Sequence, residues 1–128
     1  MRLLLDTHAL LWFLEDDPQL SANARSAISD PSNQSYYSLV SIWEVSIKFS
    51  LGKLRTAYPL NAEFEDNLEE QGFLQCVPSF EDFAGVQHLP FHHNDPLDRL
   101  LISQAMSSKA HLISKDEVLN HYDVKCLW

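Results

Sequence analysis

Cysteine is scarce in this chain, with two in 128 residues. Cys76 and Cys126 lie in apolar runs and lack the CxxC spacing of a thiolate metal site. Buried free thiols in a reducing cytoplasm are therefore expected. Long hydrophobic runs are also missing. The first helix-like apolar stretch, Ala9 to Leu14, is too short to span a bilayer. Arg2 precedes the apolar residues that begin at Leu3, but no small-residue cleavage site follows and Asp6 and His8 interrupt them, which argues against a signal peptide. Basic residues are the third shortage: nine Lys and Arg face eighteen Asp and Glu, a formal charge of −9. That balance excludes a protein that holds nucleic acid by bulk electrostatics. Internal repeats, low-complexity tracts and flexible linkers are absent from the pattern as well.

What is present describes an ordinary globular chain, 45% hydrophobic and 21% charged, long enough for one domain over residues 1–128 with a core that needs no staples. Part of the acidic excess is local: Glu63, Glu65, Asp66, Glu69 and Glu70 read as the solvated face of a helix. Basic residues gather at Lys48, Lys53 and Arg55, where local contacts to nucleic acid are conceivable.

Arg2–Leu5 is a continuously apolar run, as expected of a strand covered on both faces. Helices follow over about His8–Glu15 and from a Ser21 cap to Ser29. Residues 35–40 read as the second strand. A helix then starts at Ser41, carries Ile42, Val45, Ile47 and Phe49, and ends at Gly52. A further helix runs from Leu60 to Gln71 and is closed by Gly72. Phe73–Val77 is a third strand. Ser79 and Asp82 suggest a capped helix to about His88, and a loop covers Leu89–Asn94. The apolar period of 3.6 in Pro96–Ser108 gives another helix. Ala110–Ser114, a short helix over Glu117–Tyr122 and an edge strand over Val124–Leu127 complete the chain. Strands alternating with helices predict an α/β sandwich around a mainly parallel sheet.

In such a sheet, residues just past the carboxyl ends of the strands meet at one crevice. Asp6 follows Leu3-Leu4-Leu5, Glu44 follows the second strand, Asp116 follows Leu112-Ile113, and Asp98 opens an apolar helix. Each acid has a local alternative. Asp6 can cap the next helix, sharing that role with Thr7; Ser41 to Glu44 has capping-box spacing; Asp95 is a natural N-cap with Pro96 at the first helical position. Asp98 also profits from the helix dipole, and Asp116 can cap the helix that starts at Glu117. Jointly the acids would repel unless a cation sat among them. Oxygen-only ligation favours Mg²⁺ or Mn²⁺, and such ions activate water for phosphodiester hydrolysis. Arg99, Lys48 and Lys115 are candidates to hold substrate phosphate, and Ser114 to support a ligand.

The rivals are thinner. His92-His93 lacks the HxxxH or Cys partners of a zinc site and reads as a loop pair. A phosphatase with an aspartyl nucleophile would want a second Asp two residues after Asp6, where His8 stands. Trp12, Phe13, Trp43 and Phe49 are read as helix core residues rather than base-stacking platforms. A non-catalytic module that only binds RNA or protein remains open.

Leu4-Leu5-Asp6-Thr7-His8-Ala9-Leu10-Leu11-Trp12 resembles the opening of PIN-domain proteins, specifically VapC-like toxins of bacterial toxin–antitoxin pairs. Ser41 to Val45 with Leu51 to Leu54 is similar to their second motif, and His93 to Ala105 to their third. Leu112 to Asp116 and the ending Val124 to Trp128 resemble the last. The resemblance implies a three-layer α/β/α fold with a five-stranded parallel sheet and a metal-dependent ribonuclease activity. Its central acids would be Asp6, Glu44 and Asp98, with Asp116 a more variable fourth. It also implies a homodimer and a small cognate antitoxin as partner. Ser114 stands where the family often has Thr and keeps the hydroxyl.

Overall fold

Leu3, Leu4 and Leu5 divide the core between them. In a strand, successive side chains leave on opposite faces, and here Leu3 and Leu5 join one apolar cluster while Leu4 joins another. The computed structural model describes residues 1–54 and 59–128; Arg55, counted with the basic group, lies outside the described residues. The described elements are β1 (Arg2–Leu5), α1 (Thr7–Leu14), α2 (Ala22–Ser29), β2 (Gln34–Ser38), α3 (Leu39–Ser50), α4 (Ala62–Glu70), β3 (Leu74–Cys76), α5 (Phe80–Val86), α6 (Pro96–Ser108), β4 (His111–Ile113) and β5 (Cys126–Leu127), with a 3₁₀ turn over Glu117–His121.

The five strands are arranged β3-β2-β1-β4-β5, and every pairing is parallel. On the Leu3–Leu5 face the cluster takes Leu10 and Leu11 of α1, Ala24 and Ile28 of α2, and Phe64 and Leu68 of α4. The Leu4 face is covered by Leu100, Leu101, Ile102 and Ala105 of α6. Helix α3 contributes to both clusters, Val40 to one and Val45 to the other. This is the three-layer α/β/α sandwich with an all-parallel five-stranded sheet. The strand order runs outward from β1 to β3 and then returns to β4 on the other side of β1. The topological switch point therefore falls between β1 and β4, where a ligand crevice belongs.

Two glycines end helices as the sequence implies. Gly52 and Gly72 adopt φ of 67° and 80°, the left-handed conformation that closes a helix and that a side chain would strain. Gly85 serves packing instead. A Cβ built there would stand 2.5 Å from the Ser103 hydroxyl, so its absence lets α5 approach α6. The capping box of α5 is formed as expected, with Ser79 N–H donating to Asp82 at 2.8 Å and Asp82 N–H to Ser79 at 3.2 Å. That helix stops at Val86, short of His88.

The start of α3 differs from the expectation. The second strand ends at Ser38, not Val40, and the helix opens at Leu39. Ser38 is the N-cap: its hydroxyl accepts from Val40 N–H at 3.0 Å and donates to Gln104 Oε1 at 2.6 Å. The Ser41–Glu44 capping box is therefore not formed, and the Ser41 hydroxyl is buried without a hydrogen-bond partner among the described residues. Trp43 and Phe49 also depart from the core role read for them, being 61% and 46% exposed on this helix. Among the described residues, no helix is long and apolar enough to cross a membrane.

Candidate active site

Asp6 is the first residue beyond β1. Its amide still donates to Ile113 O of β4 at 3.0 Å, and its carboxylate caps α1 by accepting from Ala9 N–H at 2.8 Å. The carboxylate thus lies at the switch point, at the carboxyl ends of β1 and β4. Burial pushes its pKa up, and the charge of Glu44 adds to that; hydrogen bonds from Ser114 and Ala9 and the nearby His8 oppose the shift.

Glu44, freed from any capping duty, is buried on the second turn of α3. Thr7 at the start of α1 donates its hydroxyl to Glu44 Oε1 at 3.0 Å. The other oxygen, Oε2, pairs with Lys48 Nζ at 2.7 Å one turn along the helix. Thr7, a candidate to share the cap of α1, instead ties α1 to α3 through its buried hydroxyl. A Thr directly after a strand-end Asp is the signal that could have raised it, but the partner residue lies 37 positions away.

Asp98 stands in the first turn of α6. Asp95 is the N-cap of that helix, accepting from Leu97 N–H at 2.9 Å and Asp98 N–H at 3.2 Å. The Asp98 pKa is raised to about 6, first by burial and then by the charges of Asp95, Asp6 and Glu44, with His93 acting in the opposite direction. Asp6, Glu44 and Asp98 therefore sense one another although they come from three separate elements. Asp116 is more remote. It is exposed, caps the 3₁₀ turn through Val118 N–H at 3.0 Å, and does not figure among the charges that raise Asp6 or Asp98. Its link to the centre runs through its own amide, which donates to the Ser114 hydroxyl at 3.1 Å. Ser114 is buried, and hydrogen bonding from it is the first of the influences that hold the Asp6 pKa down.

The cations separate into two kinds. Lys48 is partly exposed beside Glu44, and exposed Lys115 lies over the Trp12 ring at 5.8 Å. Arg99 departs from the phosphate-binding expectation. It is 4% exposed, and its guanidinium donates to Pro90 O at 2.8 Å, Leu89 O at 3.1 Å, Val86 O at 3.4 Å and the Tyr122 hydroxyl at 3.2 Å. A planar group with several fixed donors suits this bracing of a loop, and it leaves Arg99 facing the interior.

The donor chemistry suits a hard divalent cation: carboxylate oxygens only, with the pKa values of Asp6 and Asp98 raised first by burial and further by the neighbouring acids. Among the described residues, no three His, Cys, Asp or Glu side chains form a ready-made ligand cage. Both oxygens of Glu44 are engaged in this structure, by Thr7 and Lys48. Closing on an ion would require the Lys48 pair to open.

The sequence matches the PIN domain family model over residues 3–125, and the chain belongs to that family. No curated protein gives a significant match to it. Among solved structures, it is similar in fold to the VapBC2 complex of Rickettsia felis bound to a promoter DNA fragment, at 14% identity and a TM-score of 0.71, covering 100% of this chain and 98% of that one. VapBC-1 of nontypeable Haemophilus influenzae is similar at 16% identity and a TM-score of 0.58, over 99% and 97% of the two chains. A toxin–antitoxin complex from Klebsiella pneumoniae is similar at 15% identity and a TM-score of 0.52, over 88% and 85%. At these identities the likeness is one of fold.

Proposed function

We propose that this PIN-domain protein is a Mg²⁺- or Mn²⁺-dependent endoribonuclease of the VapC type, acting in the cytoplasm as the toxin of a toxin–antitoxin pair. The observation that carries the reading is the convergence of Asp6, Glu44 and Asp98 at the switch point of the sheet, two of them with raised pKa values. Family membership supports it, as does the fold shared with toxin–antitoxin structures.

Asp6, Glu44 and Asp98 would hold the ion, with Asp116 completing the acidic set at the rim. The bound ion supplies Lewis acidity, lowering the pKa of water and neutralising phosphate charge. Ser114 and the Ala9 amide keep the Asp6 carboxylate in place. Glu44 or Asp116 would orient the attacking water as general base. With Glu44 among the residues holding the ion, Lys48 would lose its partner and be free to meet a substrate phosphate. Lys115 would do the same.

The excess negative charge suits a small antitoxin with a basic inhibitory segment, and the toxin would work as a homodimer. A non-catalytic RNA- or protein-binding module is the second reading, favoured by the ion pair that already neutralises Glu44. It would leave the crowding of Asp6 and Asp98 without a purpose.

The test is cleavage of RNA by the purified protein. Cleavage is expected with Mg²⁺ or Mn²⁺ and lost in EDTA, and Asp6→Asn is expected to lower the rate at least ~100-fold with the fold retained by circular dichroism. Undiminished cleavage in EDTA, or by a folded Asp6→Asn protein, would refute the mechanism.

A further inference from the structure

His93 belongs to a hydrogen-bonded chain that ends on Asp98. Its ring is largely buried: Nδ1 lies 2.7 Å from the Tyr122 hydroxyl and Nε2 lies 3.3 Å from Asp98 Oδ2. Which nitrogen carries the proton is set by the bond the other one makes. Here the Tyr122 oxygen decides it. That oxygen accepts from Arg99 Nη1, His92 N–H and His93 N–H, each at 3.2 Å. Three donors thus share its two lone pairs, and the hydroxyl has only its own hydrogen left to offer. Nδ1 at 2.7 Å is a far better acceptor for it than His93 O at 3.4 Å. With Nδ1 accepting, the neutral ring carries its proton on Nε2, aimed at the carboxylate.

Each link is itself held. Tyr122 is 4% exposed, and its ring meets those of His92 and His93 edge-on at 4.8 and 5.3 Å. Arg99 is clamped by the carbonyls of Val86, Leu89 and Pro90. The buried arginine and the tyrosine thus act on one oxygen of Asp98 through the imidazole.

We propose that His93 is a positioning residue for Asp98: Tyr122, locked by Arg99, fixes the tautomer in which Nε2–H holds Oδ2, leaving Oδ1 to face the ion. A carboxylate in the first turn of a helix has two free side-chain rotations, and this bond removes them. The inference rests on the proposed metal-binding role of Asp98, so its test reads the hydrogen bond and the metal separately.

The first readout is ¹⁵N–¹H correlation NMR of the histidine rings in metal-free protein, at a pH where imidazole is neutral. His93 should show an unprotonated Nδ1 and a protonated Nε2, and Tyr122→Phe should mix the tautomers. The second is Mn²⁺ binding by calorimetry. His93→Ala should weaken binding roughly 10- to 100-fold, and His93→Gln, whose amide can donate to the same oxygen, should recover most of that loss. A wild-type ring protonated on Nδ1 would overturn the proposal. So would equal Mn²⁺ affinity for wild type and a folded His93→Ala, or equal losses for Ala and Gln. Failure of the wild type to bind Mn²⁺ would bring down the metal reading, while the NMR result would still decide whether His93 holds Asp98.

Discussion

Asp98 is charged against the preference of its surroundings, because burial and the neighbouring Asp95, Asp6 and Glu44 raise its pKa to about 6. A carboxyl whose folded pKa exceeds its unfolded value binds protons more tightly in the native state. Its favourable contribution is therefore fully present below the unfolded value of 3.8 and is lost as pH rises through about 6. Asp98→Asn should accordingly raise the stability of the metal-free protein at neutral pH by about 1–3 kcal/mol. Urea denaturation across pH checks this: the gap between variant and wild type should be largest above pH 6 and close below pH 4. Arg99 makes the opposite prediction. Arg99→Lys keeps the charge but loses the multiple bonds to Val86, Leu89, Pro90 and Tyr122, and should destabilise by about 2–4 kcal/mol. A phosphate-contacting arginine would show a changed KM with unchanged stability.

Local signals in the sequence are the legible ones. Asp95 is an N-cap because an Asp-Pro pair carries that signal within four residues. The roles of Arg99 and Thr7 depend on partners brought together by the fold, and no spacing along the chain encodes them. The Ser41–Glu44 capping spacing is a local signal that the fold overrides, since the partners of Glu44 are Thr7 and Lys48.

Helix α3 shows how a boundary can hide. Leu39 and Val40 continue the apolar pattern of the strand before them, so the switch of backbone at Ser38 has no compositional mark. It is made by the Ser38 hydroxyl, bonded at once to Val40 N–H and to Gln104 across the core. The packing of α5 on α6 makes a sharper case. Gly85 abuts the Ser103 hydroxyl, which is itself held by Asp82 O at 2.6 Å. Gly85→Ala must either rotate Ser103 off that bond or separate the helices, at about 1–3 kcal/mol. Thermal denaturation of Gly85→Ala tests this. The double variant Gly85→Ala with Ser103→Ala should recover part of the loss, because the obstructing oxygen is then gone.

For the whole molecule, alternation of strands and helices was enough to indicate a parallel sheet with helices on both sides. The strand order β3-β2-β1-β4-β5 is a different matter, since it depends on which edge each returning strand joins. That order places the switch point beside Asp6 and turns dispersed acids into neighbours. Three acids so arranged should respond to a cation as a unit. At a free Mn²⁺ concentration of 100 times Kd, mass action adds about 2.7 kcal/mol of stability, which should raise Tm by roughly 10 °C for a chain of this size. Differential scanning calorimetry should show that increase, and EDTA should reverse it.

The most direct measurement is the anomalous scattering of a crystal soaked in Mn²⁺. The proposed metal site should give a peak at the carboxyl ends of β1 and β4, with oxygens of Asp6, Glu44 and Asp98 within about 2.0–2.6 Å of the ion and Lys48 swung away from Glu44. A fully occupied ion bound elsewhere, with the Glu44–Lys48 pair intact and no peak among these acids, would contradict it.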